Sequence, residues 1–234
     1  MSKCICIILA RGGSKGIKNK NIISLNGSPL IKYTIESAIS SKVFDKVVVS
    51  TDSEIIKKVA ESCGAEVPFL RPSCLAKDDT LSRDAVLHAV KALESLHKET
   101  YDYIFELQCT SPIRNKSHII DIYNMLISSK DEVDSIVSVK KLNHYHPEKI
   151  KFIESGILKS RFKEYKEDVV RRRQDMDDLY IRNGSIFAMK RKCIVDKFSR
   201  KGDVCLPYVM SEKYSINIDT HVDLKLAELY LKDV

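Results

Sequence analysis

A repeated order of apolar run, polar turn and amphipathic stretch constrains the fold more than any other feature of this chain. The run KCICIILA ends in the glycine-rich segment ARGGSKG, and an amphipathic stretch covers Pro29–Ser41 after a turn at Asn26–Gly27. A second unit repeats this order, because Lys46–Asp52 has the pattern of a buried strand and Ser53 caps a helix that ends at Gly64. Strands that alternate with helices predict a parallel sheet.

The rest of the chain extends this alternation. The predicted elements are a helix at Ser82–Lys98, a strand at Tyr103–Leu107, a helix at Lys116–Ser129 and a strand at Asp134–Val139. From about residue 143 to 180 the pattern changes to short, charged, β-prone pieces with a turn at Gly156, and a last helix follows Asp219. We predict one α/β domain over residues 1–234 with a mostly parallel sheet. Its insert at 143–180 is expected to cover a ligand or to pair with another subunit.

Length, cysteine pattern and charge limit the functions open to the chain. With 234 residues, 44% of them hydrophobic, it can bury a substantial core. No run is long enough to cross a membrane and no signal-peptide pattern is present, so we expect a soluble, cytoplasmic protein. Seven scattered cysteines without a C-x-x-C pair favour neither disulfides nor zinc. The net charge of +7 is spread along the chain, which favours a small anionic ligand over nucleic acid.

The glycine-rich loop from Leu9 to Gly16 carries the clearest chemical signal. Glycines let backbone amides approach phosphate oxygens, and Arg11 and Lys15 add positive charge. The loop fits neither the Walker A pattern nor the Rossmann fingerprint. It is therefore a phosphate-binding loop of another kind, or only a tight turn.

A set of short motifs follows this loop in a fixed order. They are ARGGSKGIKNKNI, VVVSTDS, RPSCLAKDDT, QCTSPIR, YHPEK, RRRQ, NGSIF and SINIDT. The ordered set resembles the N-acylneuraminate cytidylyltransferases, or CMP-sialic acid synthetases, over nearly the whole chain. The resemblance implies a three-layer, nucleotide-diphosphosugar-transferase-like α/β fold and a homodimer. It also implies Mg²⁺-dependent transfer of CMP from CTP to the anomeric hydroxyl of an acidic nine-carbon sugar, with release of pyrophosphate.

The resemblance also implies roles for individual residues. The positions that match nucleotide-binding residues are Arg11, Gly12, Gly13, Ser14, Lys15, Lys20, Asn21 and Arg71. The positions that match sugar-binding residues are Gln108, Lys149, Arg173, Gln174, Asn183 and Phe187. Arg11 and Lys15 would neutralise charge on the departing pyrophosphate, and Asp219 would help to hold Mg²⁺. We therefore expect catalysis to depend on Arg11, Lys15 and Asp219.

Departures from the family pattern leave the substrate and the activity open. The family commonly has I-D-I-D where this chain has Asn217 before Ile218 and Asp219, so Asn217 is expected to coordinate the metal neutrally or to hold a metal-bound water. Cys109 replaces a frequent proline, and Phe187 stands where a tyrosine can occur. The alternatives are synthesis of CMP-legionaminic or CMP-pseudaminic acid, transfer to another acceptor, or CTP binding without turnover. Nucleic-acid binding rests only on charge and on Arg171–Arg173, of which Arg171 and Arg172 are expected to be solvated or at a subunit contact.

Overall fold

The computed structural model describes residues 2–142, 147–162 and 177–232. The strands, in chain order, are β1 (Cys4–Leu9), β2 (Ser24–Leu25), β3 (Ser28–Pro29), β4 (Lys46–Ser50), β5 (Tyr103–Gln108), β6 (Ser135–Lys141), β7 (Lys151–Glu154), β8 (Ile157–Ser160), β9 (Tyr180–Lys190) and β10 (Cys205–Val209). The α-helices are α1 (Leu30–Ser41), α2 (Glu54–Ser62), α3 (Ser82–His97), α4 (Lys116–Ile127), α5 (Arg191–Val195) and α6 (His221–Lys232). None of these described helices is long and apolar enough to cross a membrane.

A six-stranded sheet forms the centre of the molecule, in the order β10-β6-β9-β5-β1-β4. Neighbouring strands are parallel except at β9, which is antiparallel to both β5 and β6. The predicted mostly parallel α/β sheet is thus confirmed. Because β4, β1 and β5 run in the same direction, the loops that follow them meet at one edge of the sheet, where ligands of open α/β sheets bind.

Helices cover both faces of this sheet and produce three layers. Alternate residues of β1 point to opposite faces, so Cys6 and Ile8 pack with α1, α2 and α4, while Ile5 and Ile7 pack with α3 and α5. A third apolar cluster joins α6 to the chain around Ile17 and Leu25, and it includes Ile216 and Ile218. This cluster fixes the segment before Asp219 against the end of the glycine-rich loop.

Local sequence signals set several element boundaries where they were predicted. The Ser53 hydroxyl accepts a hydrogen bond from the backbone N–H of Ile56 at 3.4 Å and caps α2. After α2, Gly64 has a φ of +93°, a conformation that glycine adopts without strain. The turn before α1 places Asn26 and Gly27 at φ values of 46° and 80°. Capping and turn residues therefore act here as the sequence indicates.

The described part of the predicted insert forms a separate two-stranded sheet of β7 and β8. The hairpin turns at Ser155 and Gly156, both with positive φ. Its apolar side chains remain in solvent, since Ile153, Ile157 and Leu158 are 75%, 60% and 65% exposed. The insert is thus an element outside the central core, with an uncovered apolar surface.

Candidate active site

The loops at the carboxyl edge of the sheet enclose a cavity of about 440 Å³. Nine of the predicted site residues line it, namely Arg11, Ser14, Lys15, Lys20, Asn21, Arg71, Gln108, Asn217 and Asp219. These residues come from four separate parts of the sequence and meet around one space. The structure therefore brings six of the eight predicted nucleotide residues and both predicted metal residues together, while their individual roles remain predictions.

The glycine-rich loop is held by hydrogen bonds to Asn21 and to Asp52, which follows β4. The backbone N–H of Gly12 donates to Asp52 Oδ1 at 2.8 Å, and Asn21 Nδ2 donates to the carbonyl of Arg11 at 3.0 Å. Neither Gly12 nor Gly13 lines the cavity, although both lie in the described loop. At Gly16 a Cβ atom would lie 2.9 Å from the backbone oxygen of Asp219. Glycine is needed at position 16 because the loop lies so close to the Asp219 segment.

The two cations of the loop are paired with a carboxylate that sequence reasoning did not identify. Asp78 Oδ1 lies 2.8 Å from Arg11 Nη2, and Asp78 Oδ2 lies 2.6 Å from Lys15 Nζ. The hydrogen bond from Lys15 is the main cause that lowers the pKa of Asp78. Asp78 thus makes contacts that phosphate oxygens would make with the same cations. The only signal in the sequence is the acidic pair in RPSCLAKDDT.

Arg71 forms a fixed cationic wall of the cavity. Its Nε donates to Ser50 Oγ at 3.0 Å and its Nη2 donates to the carbonyl of Ser50, while its backbone N–H donates to Thr51 at 2.7 Å. Burial lowers the pKa of Arg71, and the nearby Asp52 carboxylate acts in the opposite direction. The guanidinium is therefore oriented before any ligand binds.

Asp219 and Asn217 lie beside Lys20 at the other side of the loop. Lys20 Nζ is 2.8 Å from Asp219 Oδ1, and Asn217 Nδ2 donates to Asp219 Oδ2 at 2.6 Å. The remaining amide oxygen, Asn217 Oδ1, is buried and has no hydrogen-bond partner. No group of three or more His, Cys, Asp or Glu side chains in the described part of the chain could hold a metal ion. One carboxylate and one unpartnered amide oxygen fit a Mg²⁺ ion that takes its other ligands from substrate phosphates and water.

Two predicted sugar residues lie at the junction between this cavity and a second one of about 370 Å³, which shares Asn217. Gln108 ends β5, and its Oε1 would be 3.0 Å from a Cβ at Gly184, whose φ is +75°. Asn183 lines the second cavity, but its amide accepts from Ser138 Oγ at 2.6 Å and donates to Ser215 Oγ at 2.9 Å. Asn183 therefore holds the chain that leads to Asn217.

Phe187 and Lys149 are not brought to either cavity. Phe187 is 5% exposed and packs in the core between the sheet and α3, where the guanidinium of Arg200 lies 4.3 Å from the centre of its ring. The position of Phe187 in β9 directs its ring to this face, where it contacts Arg200, and its contact with the sugar stays a prediction. Lys149 ends a short 3-10 turn at Pro147–Lys149 and is exposed. Arg173 and Gln174 lie outside the described residues.

Arg114 is a buried residue that holds Gln108 in place. This role was not predicted from the sequence. It is 3% exposed, and its Nη1 donates to the carbonyl of Ser185 at 2.6 Å while its Nη2 donates to Thr34 Oγ1 at 2.8 Å. Longer contacts of 3.5 and 3.4 Å join both nitrogens to the carbonyl of Gln108. Burial lowers the pKa of Arg114 to about 10. This residue, the last of QCTSPIR, ties Gln108 to α1 and β9.

With this geometry in place, comparison with known proteins gives the family. A family model described as cytidylyltransferase matches residues 5–214. The chain belongs to the cytidylyltransferase family. This cytidylyltransferase is therefore a nucleotidyltransferase enzyme, and its cavity is the candidate active site.

Three proteins with similar sequences carry three different names. The cytidylyltransferase is 31% identical over 233 residues to post-translational flagellin modification protein B of Campylobacter coli, with 100% of this chain and 97% of that protein covered. It is 35% identical over 226 residues to an N-acylneuraminate cytidylyltransferase of Escherichia coli, covering 97% of this chain and 51% of the relative, so it spans about half of that enzyme's length. A pseudaminic acid cytidylyltransferase of Campylobacter jejuni is 42% identical over 130 residues, 56% of each chain.

Solved structures share the fold of this cytidylyltransferase. A CMP:2-keto-3-deoxy-manno-octonic acid synthetase complexed with CTP has a TM-score of 0.70 at 14% identity, with 99% of both chains covered. A 4-diphosphocytidyl-2C-methyl-D-erythritol synthase from Anaerococcus prevotii has a TM-score of 0.63 at 15% identity, again with 99% of both chains covered. At these identities the likeness confirms the fold.

Proposed function

We propose that this cytidylyltransferase transfers CMP from CTP to the anomeric hydroxyl of a nonulosonic, sialic-type acid and releases pyrophosphate. The observation that carries the proposal is the cavity that joins the cations of the glycine-rich loop to Arg71 and to the Asn217–Asp219 pair. The names of the Escherichia coli and Campylobacter jejuni relatives support an acidic nine-carbon acceptor.

The cationic end of the cavity suits a triphosphate. Phosphate oxygens would replace the Asp78 carboxylate between Arg11 and Lys15, which lie 2.8 and 2.6 Å from it. When the acceptor oxygen attacks the α-phosphorus, the bond to the bridging oxygen breaks and negative charge develops on the departing pyrophosphate. Arg11 and Lys15 stabilise that charge, and Lys20 adds a third cation.

We propose Mg²⁺ as the cofactor, held by Asp219 and by the unpartnered oxygen of Asn217. When bound, the ion would neutralise phosphate charge. Lys20 keeps Asp219 oriented toward the cavity through its contact at 2.8 Å. A neutral amide in place of a carboxylate at position 217 reduces the negative charge offered to the metal by one.

A homodimer is also proposed, with the β7–β8 hairpin as the contact. Its exposed Ile153, Ile157 and Leu158 would be covered by a second copy. Lys149, which adjoins the hairpin and lies outside both cavities of its own chain, would then be available to the partner's site. Light scattering tests this, because replacing Ile153 and Leu158 by serine should convert a dimer into a monomer. A wild-type monomer at micromolar concentration would exclude the dimer.

A second candidate function is CTP binding without turnover. It is favoured by Asn217, since its amide donates to Asp219 and so occupies one oxygen of the single carboxylate at the metal position. The protein would then be a CTP-binding or regulatory module without catalysis.

The deciding experiment is pyrophosphate release by the purified protein with CTP, Mg²⁺ and single acceptors. N-acetylneuraminic, legionaminic, pseudaminic and 3-deoxy-octulosonic acids are supplied in parallel, and we expect one of the nine-carbon acids to dominate. The variant Arg11→Gln should abolish most of the release, because it removes a cation beside the phosphates. CTP binding without release for any acid would favour the second candidate, and release with the octulosonic acid alone would contradict the nonulosonic assignment.

A further inference from the structure

The lining of the 440 Å³ cavity combines two kinds of residue. It includes the cations Arg11, Lys15 and Lys20, which suit the phosphates of a nucleotide. The same lining includes four apolar residues, Leu9, Leu75, Leu81 and Ala85, the hydroxyl residues Thr80 and Ser82, and the carboxylate of Glu106. A nucleoside base is flat and largely apolar, so this second group suits the base of the nucleotide.

Glu106 is an unusual residue for such a wall. It lies in β5 on the α3 side of the sheet, and it is fully buried. Its two oxygens lie 3.0 and 2.8 Å from one nitrogen, Nη1 of Arg200. A carboxylate offers about four acceptor positions and this single nitrogen engages two oxygens, so Glu106 keeps acceptor positions free. Because its side chain is only 1% exposed, a ligand reaches them when it displaces the neighbouring side chains of the lining. An isolated buried carboxylate would be costly, and the pair with Arg200 offsets that cost.

The orientation of the carboxylate is fixed by neighbouring residues. Phe187 lies opposite Glu106 in the antiparallel β5–β9 pairing. Its ring supports the Arg200 guanidinium at 4.3 Å, a distance typical of a cation–π contact. Phe187 and Arg200 therefore act as positioning residues for Glu106.

Resting on the proposed function, we propose that Glu106 selects the base by accepting a hydrogen bond from the exocyclic amino group of cytosine. An ionised carboxylate only accepts, so its ligand partner must donate. Phosphate groups are excluded by like charge, whereas cytosine presents an amino group and uracil presents a carbonyl at the same ring position. Glu106 thus favours CTP and disfavours UTP, since a carbonyl against a buried carboxylate leaves two acceptors facing each other.

Direct binding tests this assignment, because it needs no acceptor acid. Dissociation constants for CTP, UTP and dCTP are measured by calorimetry with Mg²⁺ on the full chain and on Glu106→Gln. The wild-type chain is expected to bind CTP at least about tenfold more tightly than UTP, the factor for one hydrogen bond to a charged group. In Glu106→Gln the UTP/CTP ratio should approach one, because an amide donates as well as accepts.

A matched control is Glu94→Gln. Glu94 lies in the same α3 layer and is paired with Arg191 at 2.7 and 2.9 Å, but it does not line this cavity. This variant should keep the wild-type UTP/CTP ratio. If Glu106→Gln does not fold, the double variant Glu106→Leu with Arg200→Leu replaces the ion pair by apolar groups and should also lose the discrimination. Phe187→Leu should lower the ratio partly, as expected of a positioning residue.

The outcomes separate this inference from the proposed function. Equal weakening of CTP and UTP by Glu106→Gln, or a wild-type chain that does not discriminate between them, overturns the base assignment. A changed CTP/dCTP ratio with an unchanged UTP/CTP ratio also overturns it and assigns Glu106 to the ribose. Failure of the proposed function would appear in the release assay, where the wild-type chain would release no pyrophosphate with any acid. The binding ratios could still be measured in that case.

Discussion

Replacing Gly16 by alanine tests the contact that joins the phosphate loop to the Asp219 segment. The added Cβ would lie 2.9 Å from the backbone oxygen of Asp219, about 0.5 Å short of ordinary van der Waals contact, which begins near 3.4 Å. No flexible side chain is involved, so one of the two backbones must move by about that amount. Gly16 lacks a positive φ, so the clash is the only conformational cost of the change.

The size of the effect follows from this displacement. Overpacking at a backbone contact costs about 1–3 kcal/mol of unfolding free energy. For a chain of this length, about 2–4 °C of Tm is lost per kcal/mol, so Gly16→Ala should lower Tm by roughly 2–12 °C. The shift also changes the separation of Lys15 from Asp219. Because a displacement of about 1 Å costs on the order of 100-fold in rate, we expect a fall of about tenfold in kcat/KM.

Urea unfolding and calorimetric scans measure the stability effect, and pyrophosphate release measures the rate. The control for stability is Gly13→Ala in the same loop, because a Cβ at Gly13 would have no atom within 4 Å and Gly13 also lacks a positive φ. That variant should be unchanged or more stable by up to about 1 kcal/mol. Equal stability of the two variants would refute the reasoning, since it would mean that the chain accommodates the 2.9 Å contact freely.

Further predictions concern the residues around the loop and the sheet edge. Asn217→Asp should reduce Tm without Mg²⁺, because a repulsive carboxylate pair replaces the 2.6 Å hydrogen bond to Asp219. It should also lower the Mg²⁺ concentration for half-maximal stabilisation several-fold, since a second carboxylate faces the metal. An unchanged Mg²⁺ titration of Tm would contradict this prediction. Arg114→Met should destabilise the fold by about 3 kcal/mol in urea titrations, since buried oxygens lose their donor, whereas a loss below about 1 kcal/mol would not fit. Burial lowers the pKa of His118, whose Nδ1 accepts from the backbone N–H of Asn115 at 3.3 Å. The folded state then binds fewer protons than the unfolded chain. The contribution of His118 to the unfolding free energy is therefore complete above a pH of about 6.5 and is lost as pH falls through the folded pKa. The variant His118→Gln should flatten the unfolding free energy between about pH 5 and 7, and an identical profile would assign the pH dependence to other groups.

Much of the fold was predictable because its signals are local. The apolar run of β1, the cap at Ser53 and the positive φ of Gly64 act within a few residues. The direction of β9 was not predictable. Its centre is buried on both sides and so carries no alternation. Its direction is set by pairing with β5 and β6, two strands that lie far from it in the sequence.

The site shows the same division between local and distant information. Arg11, Lys15 and Asp219 lie in short motifs whose order along the chain indicates their roles, and the fold brings them to one cavity. Glu106 was missed because its role depends on Arg200, which is 94 positions away in the chain. Phe187 lies in a matched motif, but the motif does not determine which face of β9 its ring occupies.

Asp78 has a consequence for the cellular environment of the protein. Because its two oxygens already satisfy Arg11 and Lys15, a small anion such as inorganic phosphate gains little by displacing it. A nucleoside triphosphate that also contacts Lys20 and Arg71 gains additional ion pairs and can displace the carboxylate. The loop is thereby shielded from abundant small anions that bind at one point, and it responds to ligands that bind at several points at once.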